Sequence, residues 1–279
     1  MRLSDCWLTH PGSQFRPMSG RSGCVHLRNY SAAYREWGEG PPIVLIPGLA
    51  GGIDLLTPLA QRLSADFRVI AYQLRGEDDP FALRRRFGLR QLVDDLKEFL
   101  DQHGLEAPTV LGVSFGGIVA LEFAVRFPGR LNRLIVQGVG AKSERGLIQR
   151  LAGAVLSGFP LPDNNAFVNQ FFKLLFGCRQ PTESLLAFAT RQCWRTDQGI
   201  MAHRFALVER FDVTGRLCRV GVPSLILAGD RDLLVSPNSL RQLREGLKGH
   251  QFAGIKGSGH LACLSHSEAM ATAVRDFFA

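Results

Sequence analysis

Residues 109–117 read TVLGVSFGG, in which an apolar run ends at Val113 and a Gly-x-Ser-x-Gly pattern places a serine at position 114. A helical pattern follows, over residues 117–127. A serine hydroxyl is a poor nucleophile unless a tight turn presents it beside a base, and small residues on both sides of the serine permit that strained turn. The alternative interpretation is a glycine-rich turn that merely packs a helix against a strand. Because a strand and a helix flank the pattern, we predict that Ser114 is a catalytic nucleophile.

Strand and helix patterns alternate on both sides of this turn. Six short β-rich runs are predicted to be strands: residues 42–46, 67–72, 109–113, 134–136, 224–228 and 251–255. Between the second and third runs, apolar residues from Leu89 to Leu100 recur every three or four positions, which is typical of an amphipathic helix. Such alternation builds a mostly parallel sheet with helices on both faces, so the predicted fold class is α/β. Extended runs at residues 25–30 and 32–37 predict a hairpin before the parallel part.

The alternation stops after Gly140 and resumes with the strand at Ser224. Residues 141–210 are helical and aromatic in pattern, so we predict a helical lid inserted into a core formed by residues 23–140 and 211–279. Ligands of open α/β sheets bind beyond the carboxyl ends of the strands, where such an insertion would cover them. The alternative is an added packing layer with no role in binding. Residues 1–22 carry no strong pattern and are expected to form a loosely held N-terminal extension.

Three further segments follow predicted strands. Residues 47–52 read PGLAGG, residues 229–233 read GDRDL, and residues 257–260 read GSGH. Together with the serine turn, these segments resemble the α/β-hydrolase fold superfamily over residues 25–279. The resemblance implies an α/β-hydrolase fold, and the order Ser, Asp, His along the chain is the one that this fold uses.

The resemblance also implies a role for each residue of a triad. Ser114 would attack a carbonyl carbon, His260 would take the serine proton and return it to the leaving group, and an acid would orient the imidazole. Asp230 and Asp232 both follow the same strand, and the Gly-x-x-Asp pattern of the family places the acid at Asp232. Asp230 is then expected to brace the turn. His266 falls at the start of the last predicted helix, and a structural role is expected for it.

Backbone N–H groups are suitable donors for the oxyanion that forms when a carbonyl is attacked. The resemblance places these donors at Leu49 and Phe115. The histidine that usually precedes the glycine of the first loop is replaced by Pro47. The family's Asp-x-Arg-Gly-His pattern is reduced to Arg75 and Gly76 within the sequence YQLRGE of residues 72–77. These departures affect the bracing of the loops and leave the triad residues in place.

Composition excludes several classes of protein. The chain has 279 residues, of which 46% are hydrophobic and 21% are charged, as is typical of a folded domain. The formal net charge is +8, but the arginines are scattered and the only dense cluster, residues 84–86 with Arg90, is expected to be a solvated loop. We therefore expect no nucleic acid partner. Because no apolar run is long enough to cross a bilayer and residues 1–17 lack the core of a secretion signal, we predict a cytoplasmic protein without a membrane span.

No cofactor or metal is predicted. The six cysteines lie far apart, without a Cys-x-x-Cys pair, and are expected to be free thiols: Cys6, Cys24, Cys178, Cys193, Cys218 and Cys263. The sequence contains no phosphate-binding Walker loop, no His-Glu-x-x-His helix and no zinc-type spacing of cysteines. A Ser-His-Asp set needs only water as the second nucleophile.

We therefore predict a serine hydrolase that cleaves a small or medium hydrophobic carboxylic ester or lactone through an acyl-enzyme on Ser114. A small-molecule acyl compound is the expected partner, and the oligomeric state is left open. Three alternatives share the same residues: a hydrolase of carbon–carbon bonds, an acyltransferase, and a ligand receptor or signalling protein that retains a triad. A triad-bearing scaffold without activity is a fourth, because of Pro47.

Overall fold

The structure is a computed structural model that describes residues 20–77, 86–144, 146–158, 166–177 and 181–279. Within these residues the strands are β1 (Arg21–Leu27), β2 (Tyr30–Trp37), β3 (Pro42–Ile46), β4 (Arg68–Tyr72), β5 (Thr109–Val113), β6 (Arg133–Gln137), β7 (Ser224–Gly229) and β8 (Gln251–Ile255). They form one sheet in the order β1-β2-β4-β3-β5-β6-β7-β8. β1 pairs antiparallel with β2 and β2 antiparallel with β4, and every later pair is parallel.

The helices of the described chain are α1 (Gly52–Leu63), α2 (Leu89–Gln102), α3 (Phe115–Arg126), α4 (Leu147–Ser157), α5 (Ala166–Leu175), α6 (Glu183–Cys193), α7 (Gln198–Glu209), α8 (Pro237–Gly246), α9 (Ala262–Ser265) and α10 (Ser267–Phe278). Short 3₁₀ helices occupy Pro128–Arg130 and Thr214–Arg219. The apolar faces of α2 and α3 bury one side of the sheet, and those of α1 and α10 bury the other. The central strands carry apolar residues on both faces because both faces are covered.

These elements confirm the predicted α/β class with a mostly parallel sheet. The predicted bounds of β3, β5 and β8 agree with the structure, those of β4 and β7 differ by one residue at one end, and β6 is one residue longer at each end. The hairpin is displaced, because β1 pairs with β2 from Arg21↔Glu36 to Leu27↔Tyr30 and so begins four residues before the predicted start. Residues 21 and 22, assigned to the N-terminal extension from sequence, therefore belong to the sheet.

The helices α4 to α7 all lie in the connection between β6 and β7, where the insertion was predicted. Among them, α4 packs on α7 and α5 packs on α6. The insertion packs on helices of the core, because α6 contacts α1 and α7 contacts α3. The inserted helices are thus anchored on both sides of the carboxyl edge of the sheet.

Some predictions fall on residues that the structure does not describe. They are the extension over residues 1–19, the basic residues 84 and 85, and Cys6 and Cys178. The other cysteines are free, Cys193 and Cys263 being buried and Cys24 and Cys218 exposed. In the described part of the chain, no helix is long and apolar enough to cross a membrane.

Candidate active site

Ser114 lies at the turn between β5 and α3. Its backbone φ is 52°, and it is the one non-glycine residue with positive φ in the described chain. Two glycines make this turn possible. A Cβ added to Gly116 would lie 2.2 Å from the carbonyl oxygen of Ile46, and one added to Gly112 would lie 2.3 Å from the carbonyl oxygen of Gly116. The residue types at these positions thus follow from the close approach of the turn to β3 and α3.

The structure brings together the three side chains that the sequence singled out. The Nδ1–H of His260 donates to Oδ2 of Asp232 at 2.9 Å, because a carboxylate can only accept. The other ring nitrogen, Nε2, then accepts from the Ser114 hydroxyl at 2.8 Å. Ser114 follows β5, Asp232 follows β7 and His260 follows β8, so the carboxyl ends of three parallel strands, at one edge of the sheet, supply the three groups.

Hydrogen bonds inside the loops hold this arrangement. The second carboxylate oxygen of Asp232 accepts from the backbone N–H groups of Leu234 at 2.8 Å and Val235 at 3.2 Å. Asp230 does not reach the imidazole; its carboxylate accepts from the N–H of Gly257 at 2.7 Å, which ties the Asp232 turn to the histidine loop. His266 lies at the N-cap of α10.

Burial and charge shift the pKa values of His260 and Asp232 in opposite directions. Burial lowers the pKa of His260, but the charge of Asp232 and its hydrogen bond outweigh burial and hold that pKa above its usual value. Burial raises the pKa of Asp232, but the imidazole and the amides of Leu234 and Val235 outweigh burial and hold that pKa below its usual value. The carboxylate is therefore ionised beside an imidazole of increased basicity.

The two predicted oxyanion donors lie beside Ser114. Phe115 is the first residue of α3, where backbone N–H groups have no intrahelical partner. Leu49 lies in the loop after β3, and a Cβ added to its neighbour Gly48 would be 3.7 Å from the Cβ of Ser114. Among the described residues, neither the Leu49 nor the Phe115 N–H donates to another backbone group. Both amides are therefore candidates for binding an oxygen next to Ser114.

Ser114 and His260 open into a cavity of about 240 Å³ between the inserted helices and the core. Its lining is largely apolar and includes Leu156, Phe171, Phe172, Trp194, Met201, Phe205 and Val208 from the inserted helices. Such a cavity suits a ligand with a hydrophobic part and few polar groups. In the described ranges, no cluster of three or more His, Cys, Asp or Glu side chains is placed to hold a metal ion.

Sequence reasoning missed one polar side chain that supports the histidine loop. Gln137, at the end of β6, is fully buried and donates from Nε2 to the carbonyl oxygen of His260 at 3.0 Å. Its position, a polar residue at the carboxyl end of a buried strand next to β5, is the signal that could have identified it. The same reasoning missed the contacts of Glu77, whose position the sequence marked only as a departure from a family pattern.

A match to a protein family decides how this site is interpreted. Residues 41–267 match the family model described as alpha/beta hydrolase fold. The chain belongs to this family. The predicted fold and the prediction of a hydrolytic enzyme are confirmed by this match and by the relatives of the chain.

This α/β hydrolase is 28% identical over 245 residues to the pimeloyl-[acyl-carrier protein] methyl ester esterase of Neisseria meningitidis serogroup B (strain H44/76), covering 84% of this chain and 92% of that relative. Its fold matches bromoperoxidase from Bacillus anthracis with a TM-score of 0.80, at 20% identity and over 92% of this chain and 99% of that one. The enol-lactonase from Burkholderia xenovorans LB400 gives a TM-score of 0.78 at 20% identity, with the same coverage. Likeness at this level of identity shows the fold.

Proposed function

We propose that this α/β hydrolase is a serine hydrolase that cleaves a small or medium hydrophobic carboxylic ester or lactone through an acyl-enzyme. The observation that carries the proposal is the pair of hydrogen bonds that links Ser114 to His260 and His260 to Asp232, at 2.8 Å and 2.9 Å, beside an apolar cavity. The similarity to a methyl ester esterase over most of both chains supports an ester as the substrate.

The reaction follows from the geometry of these groups. His260 Nε2 takes the hydroxyl proton as Ser114 Oγ bonds to the substrate carbonyl carbon, and the N–H groups of Leu49 and Phe115 stabilise the resulting oxyanion. The imidazolium is stabilised by Asp232 and gives its proton to the departing alkoxide, which leaves an acyl group on Ser114. Water then attacks the acyl-enzyme with His260 as base, and the acid is released as Ser114 regains its proton.

The apolar lining of the cavity favours a substrate whose acyl or alcohol part is hydrophobic. The side chains of α4, α5 and α7 that face Ser114 are mostly apolar, and Phe172 is buried. In this proposal, residues 141–210 act as a lid that covers the cavity and provides most of the contacts to the substrate chain.

Active-site labelling and turnover test the proposal. We expect a fluorophosphonate to label Ser114 rapidly in the wild-type protein, and we expect no labelling in Ser114→Ala. We also expect release of p-nitrophenol from acetyl to octanoyl esters, and none above background from Ser114→Ala. Rapid labelling with turnover of dienone acids but not of esters or lactones would favour a carbon–carbon hydrolase instead.

The remaining alternatives predict different results in the same assay. A receptor with a retained triad would show labelling with fewer than a few turnovers per active site. An acyltransferase would release p-nitrophenol faster when a primary alcohol is added, and the alcohol would appear as a new ester. A scaffold without activity would show neither labelling nor turnover.

A further inference from the structure

An arginine of the inserted helix α7 contacts the loop that carries Leu49. The side chain of Arg204 is fully buried, and its Nη1 donates to the carbonyl oxygen of Leu49 at 2.9 Å and to the carboxylate of Glu77. Its Nη2 donates to the carbonyl oxygens of Arg75 at 2.8 Å and Leu74 at 3.3 Å. A buried guanidinium is tolerated only when it is paired and hydrogen-bonded, so these contacts fix α7 against the loop.

A threonine in the turn before α7 makes a second contact to the same loop. The hydroxyl of Thr196 accepts from the N–H of Gly51 at 2.9 Å and donates to the other oxygen of Glu77 at 2.6 Å. The loop after β3 is thus held at two points, the Leu49 carbonyl and the Gly51 amide, by residues of the insertion. Glu77 connects the two points, because one of its carboxylate oxygens accepts from Arg204 and the other accepts from Thr196.

The same guanidinium lies beside the second candidate donor of the oxyanion hole. The Cζ of Arg204 is 6.0 Å from the centre of the Phe115 ring. Met201, Phe205 and Val208, on neighbouring positions of α7, line the cavity. One helix therefore lines the cavity and lies beside both residues proposed as oxyanion donors, Leu49 and Phe115.

We propose that Glu77, Thr196 and Arg204 are positioning residues that hold the Leu49 amide of the oxyanion hole in place from the inserted helices. The inference rests on the proposed function, since an oxyanion forms only if Ser114 attacks a carbonyl. The negative charge on that oxygen develops in the transition state, so displacing the amide lowers kcat and leaves KM nearly unchanged. Removing one oxyanion donor costs about 10²–10³ in turnover, and displacing one costs less, about tenfold.

The first experiment uses two substitutions of one residue. Thr196→Val removes the hydroxyl and keeps the shape, whereas Thr196→Ser keeps the hydroxyl. With p-nitrophenyl acetate, we expect kcat to fall about tenfold in Thr196→Val at unchanged KM, and to stay within about twofold of the wild-type value in Thr196→Ser. Hydrogen exchange at the Gly51 amide, measured without substrate, is expected to accelerate only in Thr196→Val.

The second experiment separates positioning from stability. Glu77 and Asp95 are both nearly buried, with side-chain exposures of 4% and 3%, and each pairs with an arginine. Asp95 lies on α2, pairs with Arg75 and does not line the cavity. We expect Glu77→Gln and Asp95→Asn to lower the midpoint of thermal unfolding similarly, and only Glu77→Gln to lower kcat.

The outcomes distinguish this inference from the proposed function. Equal kcat in Thr196→Val and Thr196→Ser, unchanged exchange at Gly51, or equal losses of kcat in Glu77→Gln and Asp95→Asn would each overturn the positioning role while leaving the hydrolase in place. Absence of ester turnover and of Ser114 labelling in the wild-type protein would overturn the proposed function, and this inference with it.

Discussion

The backbone of Ser114 stores strain at the point where the chemistry is proposed. A φ of 52° is unfavourable for a residue with a Cβ and costs about 1–3 kcal/mol, whereas glycine adopts it freely. The strained conformation is maintained because the turn lies between two buried elements, β5 and α3. The strain lowers stability at this position, and the turn that causes it places the Ser114 hydroxyl at the cavity.

We therefore expect Ser114→Gly to be more stable than Ser114→Ala by about 1 kcal/mol in denaturant unfolding. Both variants lose the hydroxyl and its hydrogen bond to His260, so they differ in the strain of the Cβ, which favours glycine, and in the entropy of the unfolded chain, which favours alanine by about 0.4–1 kcal/mol. Neither is expected to turn over an ester. A Gly variant no more stable than the Ala variant would show that the strain at this turn is no larger than the entropy difference.

The raised pKa of His260 is expected to set the pH at which kcat/KM falls on the acid side. Only the neutral imidazole accepts the Ser114 proton, so kcat/KM is expected to rise as the pH increases through the pKa of His260, with a midpoint above the ordinary value of about 6.5. In Asp232→Asn the charge that raises this pKa is lost and burial remains, so the midpoint moves to lower pH. Turnover is also expected to fall about 10⁴-fold, because the tautomer is no longer fixed.

Asp230→Asn is the matched control for that variant. Its carboxylate contacts Gly257 rather than the imidazole, so we expect a modest loss of turnover and an unchanged midpoint in the pH profile. Both are measured with p-nitrophenyl acetate between pH 5 and pH 9. Equal and mild losses in the two variants would show that Asp232 is not the acid of the triad.

At the scale of secondary-structure elements, the fit of α3 against β3 and β5 depends on Gly116. An added Cβ would lie 2.2 Å from the carbonyl oxygen of Ile46, and this backbone atom cannot move without shifting β3. We expect Gly116→Ala to lower the free energy of unfolding by about 3 kcal/mol or more. Fluorophosphonate labelling of Ser114 is expected to slow as well, because the turn must open.

Gly129 provides the control, since an added Cβ there would meet nothing within 4 Å and its φ is negative. Gly129→Ala is expected to leave labelling unchanged and stability equal or slightly higher, through the lower entropy of its unfolded chain. If both variants unfold at the wild-type denaturant midpoint, the close approach of Gly116 to β3 is not a constraint on this turn.

Strands of this fold are easier to predict than the contacts between distant elements. The bounds of β3, β5 and β8 follow from sequence because each is a short β-rich run that ends at a turn. β1 was misplaced because its exposed half, residues 21–24, carries little apolar signal and is defined by pairing with β2. The start of β1 is therefore set by its pairing with β2 rather than by its own residue pattern.

The candidate site likewise contains residues that local sequence patterns predict and contacts that they do not. Ser114, Asp232 and His260 were found because each follows a strand within a short, recognisable loop. The hydrogen bonds that hold the surrounding loops were not predicted, because they join residues that are far apart along the chain. Arg204 contacts Glu77, 127 residues away along the chain, and no local pattern marks either as a partner of the other. An arginine among the apolar residues of α7 is the one available signal.

At the scale of the whole molecule, the cavity joins the inserted helices to the strand ends of the core. The proposed nucleophile belongs to the core, whereas much of the apolar lining comes from α4, α5 and α7. In the proposed function, the core therefore supplies the triad and the insertion supplies most of the apolar contacts to the substrate. Substitutions of residues of the insertion that line the cavity should change which ester is preferred while Ser114 remains reactive.

A substitution of Ala152 on α4 tests whether the insertion selects the ester, because Ala152 is nearly buried and lines the cavity. A phenylalanine at this position fills part of a cavity of about 240 Å³. We expect Ala152→Phe to lower kcat/KM for p-nitrophenyl octanoate about tenfold or more, since small changes in an apolar pocket cost about that much, and to affect the acetate ester little. Ala154→Phe, on the exposed side of the same helix, should leave both esters unchanged. Equal losses for the two esters in Ala152→Phe would mean that α4 does not select the acyl chain, and that the insertion is a packing layer rather than a lid.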